Sequence, residues 1–124
     1  MSNLGMSTMK LLLAAILLAL FALASNVAAQ NIDIIDSSVN VTTSSTTILA
    51  APAYQPRLIY VQNDSDTVIY CNLRGNAAVL NAGTRLNANG GFFFFDAPGT
   101  VPRTAITCIH GGTGNKLVLI NVGQ

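Results

Sequence analysis

Cys71 and Cys108 are the only cysteines of the 124-residue chain, and His110 is its only histidine. Alternation along the surrounding residues puts Cys71 on the same face as Ile69 and Leu73, and Cys108 on the same face as Ile106. Two inward cysteines on different strands make either a disulfide, in a chain sent to an oxidising compartment, or a pair of buried thiols serving as small hydrophobes. The disulfide is the expectation. Closing a loop of this length would stabilise the fold by ~3.5–4 kcal/mol through the entropy it removes from the unfolded chain. The spacing matches no zinc motif. His110, followed by Gly111 and Gly112, has the outline of an esterase oxyanion loop, but there is no Gly-x-Ser-x-Gly elbow and no second histidine to act as base. It is expected to be a strand-end histidine beside a glycine turn.

Carboxylate chemistry is equally sparse, because the chain contains no glutamate. Asp33 and Asp36 sit in a polar stretch, Asp64 and Asp66 flank a turn, and Asp96 ends a strand. Asn63-Asp64-Ser65-Asp66 presents several oxygens, but calcium takes about six to eight ligands and the loop lacks a glycine-containing calcium pattern. Turn formation is the expected role. No acid, base and nucleophile converge, so the chain is expected to have no catalytic residue, no metal and no cofactor, and not to be an enzyme. Asn40-Val41-Thr42 and Asn63-Asp64-Ser65 fit the glycosylation sequon, which matters only in a eukaryotic secretory route.

The run Phe92-Phe93-Phe94-Phe95 is chemically the most informative segment. In a strand, Phe92 and Phe94 face one way and Phe93 and Phe95 the other. A small sandwich has one interior, so one pair faces outward unless something covers it. The alternatives are a fold-over by residues 31–45, a protein contact, or a ligand such as a sugar stacked on an aromatic face. Tyr54, Tyr60 and Tyr70 are further candidates for stacking.

Short strands must position these residues. After the N-terminal segment, Thr, Asn, Ser and Gly stand where a helical protein would place Glu, Lys and Gln. Strands are expected at residues 47–50, 57–63, 67–73, 84–86, 92–95, 104–109 and 116–122, separated by turn signals such as Asn81-Ala82-Gly83 and Asn89-Gly90-Gly91. The second and third of these read as a hairpin about Asp64-Ser65-Asp66. The expected class is all-β, a small antiparallel β-sandwich or barrel of about six to seven short strands, following an N-terminal hydrophobic helix. Pleat parity gives an inward set of Ile59, Val61, Ile69, Leu73, Leu86, Ile106, Val118, Ile120 and Val122.

Three segments divide the chain. Lys10 precedes fourteen consecutive apolar residues, Leu11 to Ala24, and Val27 and Ala29 sit where a signal peptidase accepts small residues. Residues 1–29 therefore read as a signal peptide cleaved before Gln30, with a retained anchor as the alternative. Residues 30–45 read as a polar arm or weakly paired edge strand, and residues 46–124 as the β domain. Beyond residue 29, Arg57, Arg74, Arg85, Arg103 and Lys116 balance the five aspartates, and no basic cluster exists to displace counterions from nucleic acid. The membrane enters only through the N-terminal segment.

From Arg57 onward the chain resembles a small β-domain of tailed-phage structural proteins, of the head-fibre or decoration-like kind. The resemblance runs through Arg57-Leu58-Ile59-Tyr60-Val61-Gln62-Asn63, Asp64-Ser65-Asp66-Thr67 and Val68-Ile69-Tyr70. It continues through Thr84-Arg85-Leu86, Asn89-Gly90-Gly91, Phe95-Asp96, Val101-Pro102, Ala105-Ile106, Gly112-Thr113-Gly114 and Lys116-Leu117-Val118-Leu119. It covers roughly residues 43–122. It implies a non-catalytic module displayed on a virion or fibre, with Phe93 and Phe95 in the core and Phe92 and Phe94 as the contact pair. The expected partners are like subunits or a virion scaffold protein, and the alternative is a secreted, glycan-binding or adhesion module of a bacterium. The expected location is extracellular, on a virion, or periplasmic.

Overall fold

Alternating burial marks strands that pack only one face on the core. Leu58–Asn63 and Lys116–Gly123 bury every second side chain between half-buried neighbours. The computed structural model describes residues 32–97 and 99–124; the expected export segment and its hydrophobic helix lie outside the described residues. Among the described residues there are eight strands: β1 Ile34–Val41, β2 Thr46–Leu49, β3 Leu58–Asn63, β4 Ile69–Asn72, β5 Thr84–Leu86, β6 Phe92–Phe95, β7 Ile106–His110 and β8 Lys116–Gly123. They form two four-stranded sheets, ordered β1-β8-β3-β6 and β2-β7-β4-β5, with every pairing antiparallel. This order is that of a jelly roll, in which the chain crosses from sheet to sheet and most neighbours in space are distant in sequence.

Two expectations are corrected. The strand count is eight rather than six or seven, because Ile34–Val41 pairs with β8 along its whole length. Ser37 stands opposite Ile120 in that register, on the same face as the half-buried Val39 and the buried Val41, while Ile35 on that face is exposed. Val41 is fully buried, so the segment expected to be a polar arm or weakly paired edge strand is an edge strand that also supplies a core residue. Its serines and threonines close the corner to β2, where the Thr42 N–H donates to Thr46 Oγ1 at 3.2 Å and the two hydroxyls pair at 3.1 Å. The second correction concerns β3 and β4, which lie in opposite sheets and are not a hairpin.

The crossing between β3 and β4 is tied by one buried side chain. Asn63 Nδ2 donates to the carbonyls of Thr67 (2.8 Å), Leu86 (3.3 Å) and Asn87 (3.0 Å). Its Oδ1 accepts from the N–H (3.0 Å) and hydroxyl (2.6 Å) of Ser65. The Asn63 backbone completes a glycine bulge, with its N–H on the Gly91 carbonyl and its carbonyl taking the Gly90 N–H, each at 2.8 Å. Gly90 has φ 102°, as the first position of such a bulge requires.

The core between the sheets comprises Val41, Ile48, Ile59, Val61, Ile69, Cys71, Leu86, Phe93, Val101, Ile106, Cys108, Val118, Ile120 and Val122, with Leu73 and Phe95 packed at its margin. The connection from β4 to β5 is fastened by Thr107 Oγ1 donating to the Asn76 carbonyl at 2.6 Å and the Ala78 N–H donating to Ser45 Oγ at 2.8 Å.

Candidate interaction surface

β6 is an edge strand, and its pleat decides which phenylalanines meet solvent. Phe93 is 9% exposed, whereas Phe92 is 61% and Phe94 45% exposed. Antiparallel register sets Phe94 opposite Tyr60 and Phe92 opposite Gln62, so these four side chains share the outer face of their sheet. The Tyr60 ring centre lies 5.5 Å from that of Phe92 and 6.3 Å from that of Phe94. The Tyr60 hydroxyl donates to Gln62 Oε1 at 2.7 Å, which holds the tyrosine along the sheet rather than out from it. On the far side of β3 the rows continue into Asn121 and Leu119. The result is an uncharged aromatic strip at one edge of the sheet, grading into polar residues toward β1.

Residues 34–41 do not fold over this strip, because β1 is the opposite edge of the same sheet. That position removes the expected alternative in which the N-terminal stretch covers the outward phenylalanines. Tyr54 is exposed in the loop before β3, and Tyr70 belongs to the other sheet. Neither joins Tyr60. The pleat alone called for one outward phenylalanine pair, and the resemblance named Phe92 and Phe94, but Gln62 and the Tyr60 contacts depend on the β3–β6 register, for which the sequence carries no local signal.

Cys71 and Cys108 stand directly opposite in the β4–β7 register and are joined, with Cα atoms 4.1 Å apart and a sequence separation of 37. Both are buried in the core, so the bridge is a staple between neighbouring strands. It fits an oxidising compartment. A cleft of about 380 Å³ beside it is lined by Cys71, Asn72, Leu73, Arg74, Gly83 and Thr84. It holds a single charged group and no acid–base pair.

His110 points inward with Ile106 and Cys108 and is 1% exposed. Its Nδ1 accepts the Gly112 N–H at 3.1 Å, which assigns the ring proton to Nε2, and Nε2 has no hydrogen-bond partner among the described residues. The histidine is walled off from any surface substrate. Asp66 pairs with Lys116 at 2.7 Å, and the Lys116 hydrogen bond, followed by that of Thr67 Oγ1, holds its carboxyl below the ordinary aspartate range. Among the described residues no group of three metal-ligating side chains converges. No protein-family model, curated protein or solved structure matches the chain.

Proposed function

We propose that this chain is a non-catalytic structural or interaction module of an extracellular or virion assembly, and that it docks through Tyr60, Phe92 and Phe94. The observation that carries this reading is the outward pair on β6, 61% and 45% exposed, beside a tyrosine on one uncharged face. Isolated exposed apolar residues are ordinary, but a contiguous aromatic strip on a sheet edge is the composition of a contact surface. The hydrophobic segment at residues 11–24 and the buried disulfide support export, and the resemblance to tailed-phage structural domains favours a virion or fibre as the setting.

A second reading, glycan binding, draws on the same face. Phe92 and Tyr60 are tilted by 33°, and Gln62 and Asn121 lie alongside as hydrogen-bonding groups. A sugar would stack on the rings and bond to those amides.

The test is the intact mass, under non-reducing conditions, of the protein recovered from density-gradient particles and from particle-free supernatant of its native culture. The expected result is a particle-bound species lacking residues 1–29 and two hydrogens. Recovery only from the supernatant, together with glycan-array binding lost in Tyr60→Ala, would replace the assembly reading with the glycan one.

A further inference from the structure

Among the described residues the sandwich has four open edges, β1 and β6 in one sheet and β2 and β5 in the other. Natural sheets blunt such edges with charge, proline, bulges or shortness, because an unpaired row of N–H and carbonyl groups templates another strand. Three of these edges carry a device of that kind. β1 holds Asp36, fixed on the outer face by Asn121 Nδ2 at 2.6 Å. β2 has a register irregularity between Thr47 and Leu49. β5 is only three residues long and includes Arg85. β6 has neither charge nor proline, and its glycine bulge ends before Phe92.

The free backbone groups of β6 can be assigned. The Asn63 N–H is directed to the Gly91 carbonyl, so alternate residues of β3, Val61 and Ile59, also face β6 and bond to Phe93 and Phe95. The N–H and carbonyl of Phe92 and of Phe94 therefore point away from the sheet. These are the same residues whose rings are exposed.

We infer that the occupant of this edge is the β6 strand of a second copy, paired antiparallel across a two-fold axis; this inference rests on the proposed assembly role and names its partner. A two-fold contact needs a surface that is its own complement, and a strand of four identical residues is one. Opposed side chains in an antiparallel pair share a face, and the register that pairs Phe92 with the second copy's Phe94 sets Phe93 against its own symmetry mate. Each copy then donates two hydrogen bonds and accepts two, all from Phe92 and Phe94. Asp96 falls opposite Gly90, so no carboxylates meet. The two aromatic strips become continuous across the seam.

The surface available sets the strength. At 61% and 45% exposure, Phe92 and Phe94 offer roughly 200 Å² per copy. The pair thus falls well short of the ~1,000 Å² of a stable interface. The contact is weak in free solution and becomes effective where copies are held side by side and their local concentration is high.

Proline at position 94, compared with Phe94→Ala, which removes the same ring but keeps the N–H, separates this pairing from other uses of the face. It deletes a donor that points away from β3, so the intrasheet ladder stays intact. The full chain, expressed with its own N-terminal segment and purified as the cell processes it, is examined by sedimentation equilibrium from about 10 μM to about 1 mM. The wild type should pass from monomer to dimer over that range, and Phe94→Pro should remain monomeric with an unchanged unfolding midpoint. If proline perturbs folding, Phe94→Lys, which keeps the N–H and adds an edge charge, should give the same monomer. A photoreactive benzoyl-phenylalanine at position 94 should crosslink to Phe92 of the other copy. A wild type monomeric at about 1 mM, a folded variant that dimerises like the wild type, or crosslinks mapping elsewhere would each overturn the inference. A monomeric wild type that is still carried on particles through Tyr60, Phe92 and Phe94 would overturn the self-pairing alone and leave the proposed function standing. A dimer that is absent from particles would do the reverse.

Discussion

Replacing Asn63 with Asp changes almost no volume and reverses the hydrogen-bond chemistry at the crossing between the sheets. The amide is fully buried and its Nδ2 serves three carbonyls, those of Thr67, Leu86 and Asn87. An ionised carboxyl in that place donates nothing and sets negative charge against three carbonyl oxygens, while the two Ser65 donors on the other oxygen are retained. Losing the amide's two N–H groups, at about 1 kcal/mol each, removes about 2 kcal/mol, and leaving buried acceptors unpaired adds about 1–3 kcal/mol more. The sum is a loss of about 3–5 kcal/mol at pH 7, a large part of the roughly 5–15 kcal/mol that a domain of this size possesses. Urea unfolding followed by circular dichroism should show the midpoint falling by about 2.5–4 M for a slope near 1.2 kcal/mol per M. The cost should shrink in acid. Burial and the surrounding carbonyls raise the folded-state pKa of the new carboxyl, so its neutral form is favoured in the fold. Stability is then greatest below the unfolded value of about 3.9 and falls as pH rises through the folded one. The comparison is made with wild type at each pH, because the native aspartates titrate as well. A loss under about 1 kcal/mol at pH 7, or a loss unchanged in acid, would show that Asn63 does not tie the crossing as described.

Three further outcomes follow from particular contacts. Phe93→Ala should cost about 3–5 kcal/mol in denaturant unfolding, whereas Phe92→Ala and Phe94→Ala should each stay within about 0.5 kcal/mol, which checks the pleat of β6 directly. Replacing both Cys71 and Cys108 with Ala should lower unfolding free energy by about 3.5–4 kcal/mol through the freed 37-residue loop, plus the packing lost with two buried sulfurs. Asp66 should titrate by NMR below the ordinary aspartate range because of Lys116 and Thr67, and Lys116→Met should bring it back upward. Its folded value is depressed, so whatever stability the pair contributes is present above the unfolded value and lost as pH falls through the folded one.

What could be read from the residues, and what could not, divides along local and non-local lines. Strands β2 to β8 were legible because alternating side chains and glycine or asparagine turns are local signals. The inward set from Ile59 to Val122 followed from the same parity, with Leu73 ending at the core margin. Strand pairing was not legible. Asp64-Ser65-Asp66 looks like a hairpin turn, yet the chain there changes sheets, and the deciding contacts run from Asn63 to residues 86–91, over twenty positions away. β1 was obscured by Asp36, Ser37, Ser38 and Asn40, whose partners lie on β8, at the other end of the sequence. For the candidate surface, the pleat called for one exposed phenylalanine pair, and the resemblance pointed to Phe92 and Phe94 as that pair. Its neighbours Tyr60 and Gln62, and the bare edge that Phe92 and Phe94 present, depended on knowing which strand lies alongside.

The most direct test of the docking role is the distribution of Phe92→Ser/Phe94→Ser and wild-type protein between particles and supernatant in the native culture. Both variant side chains lie outside the core, so equal unfolding midpoints serve as the control. The account predicts wild type in the particle fraction and the folded double variant in the supernatant. The same distribution for both proteins would contradict it.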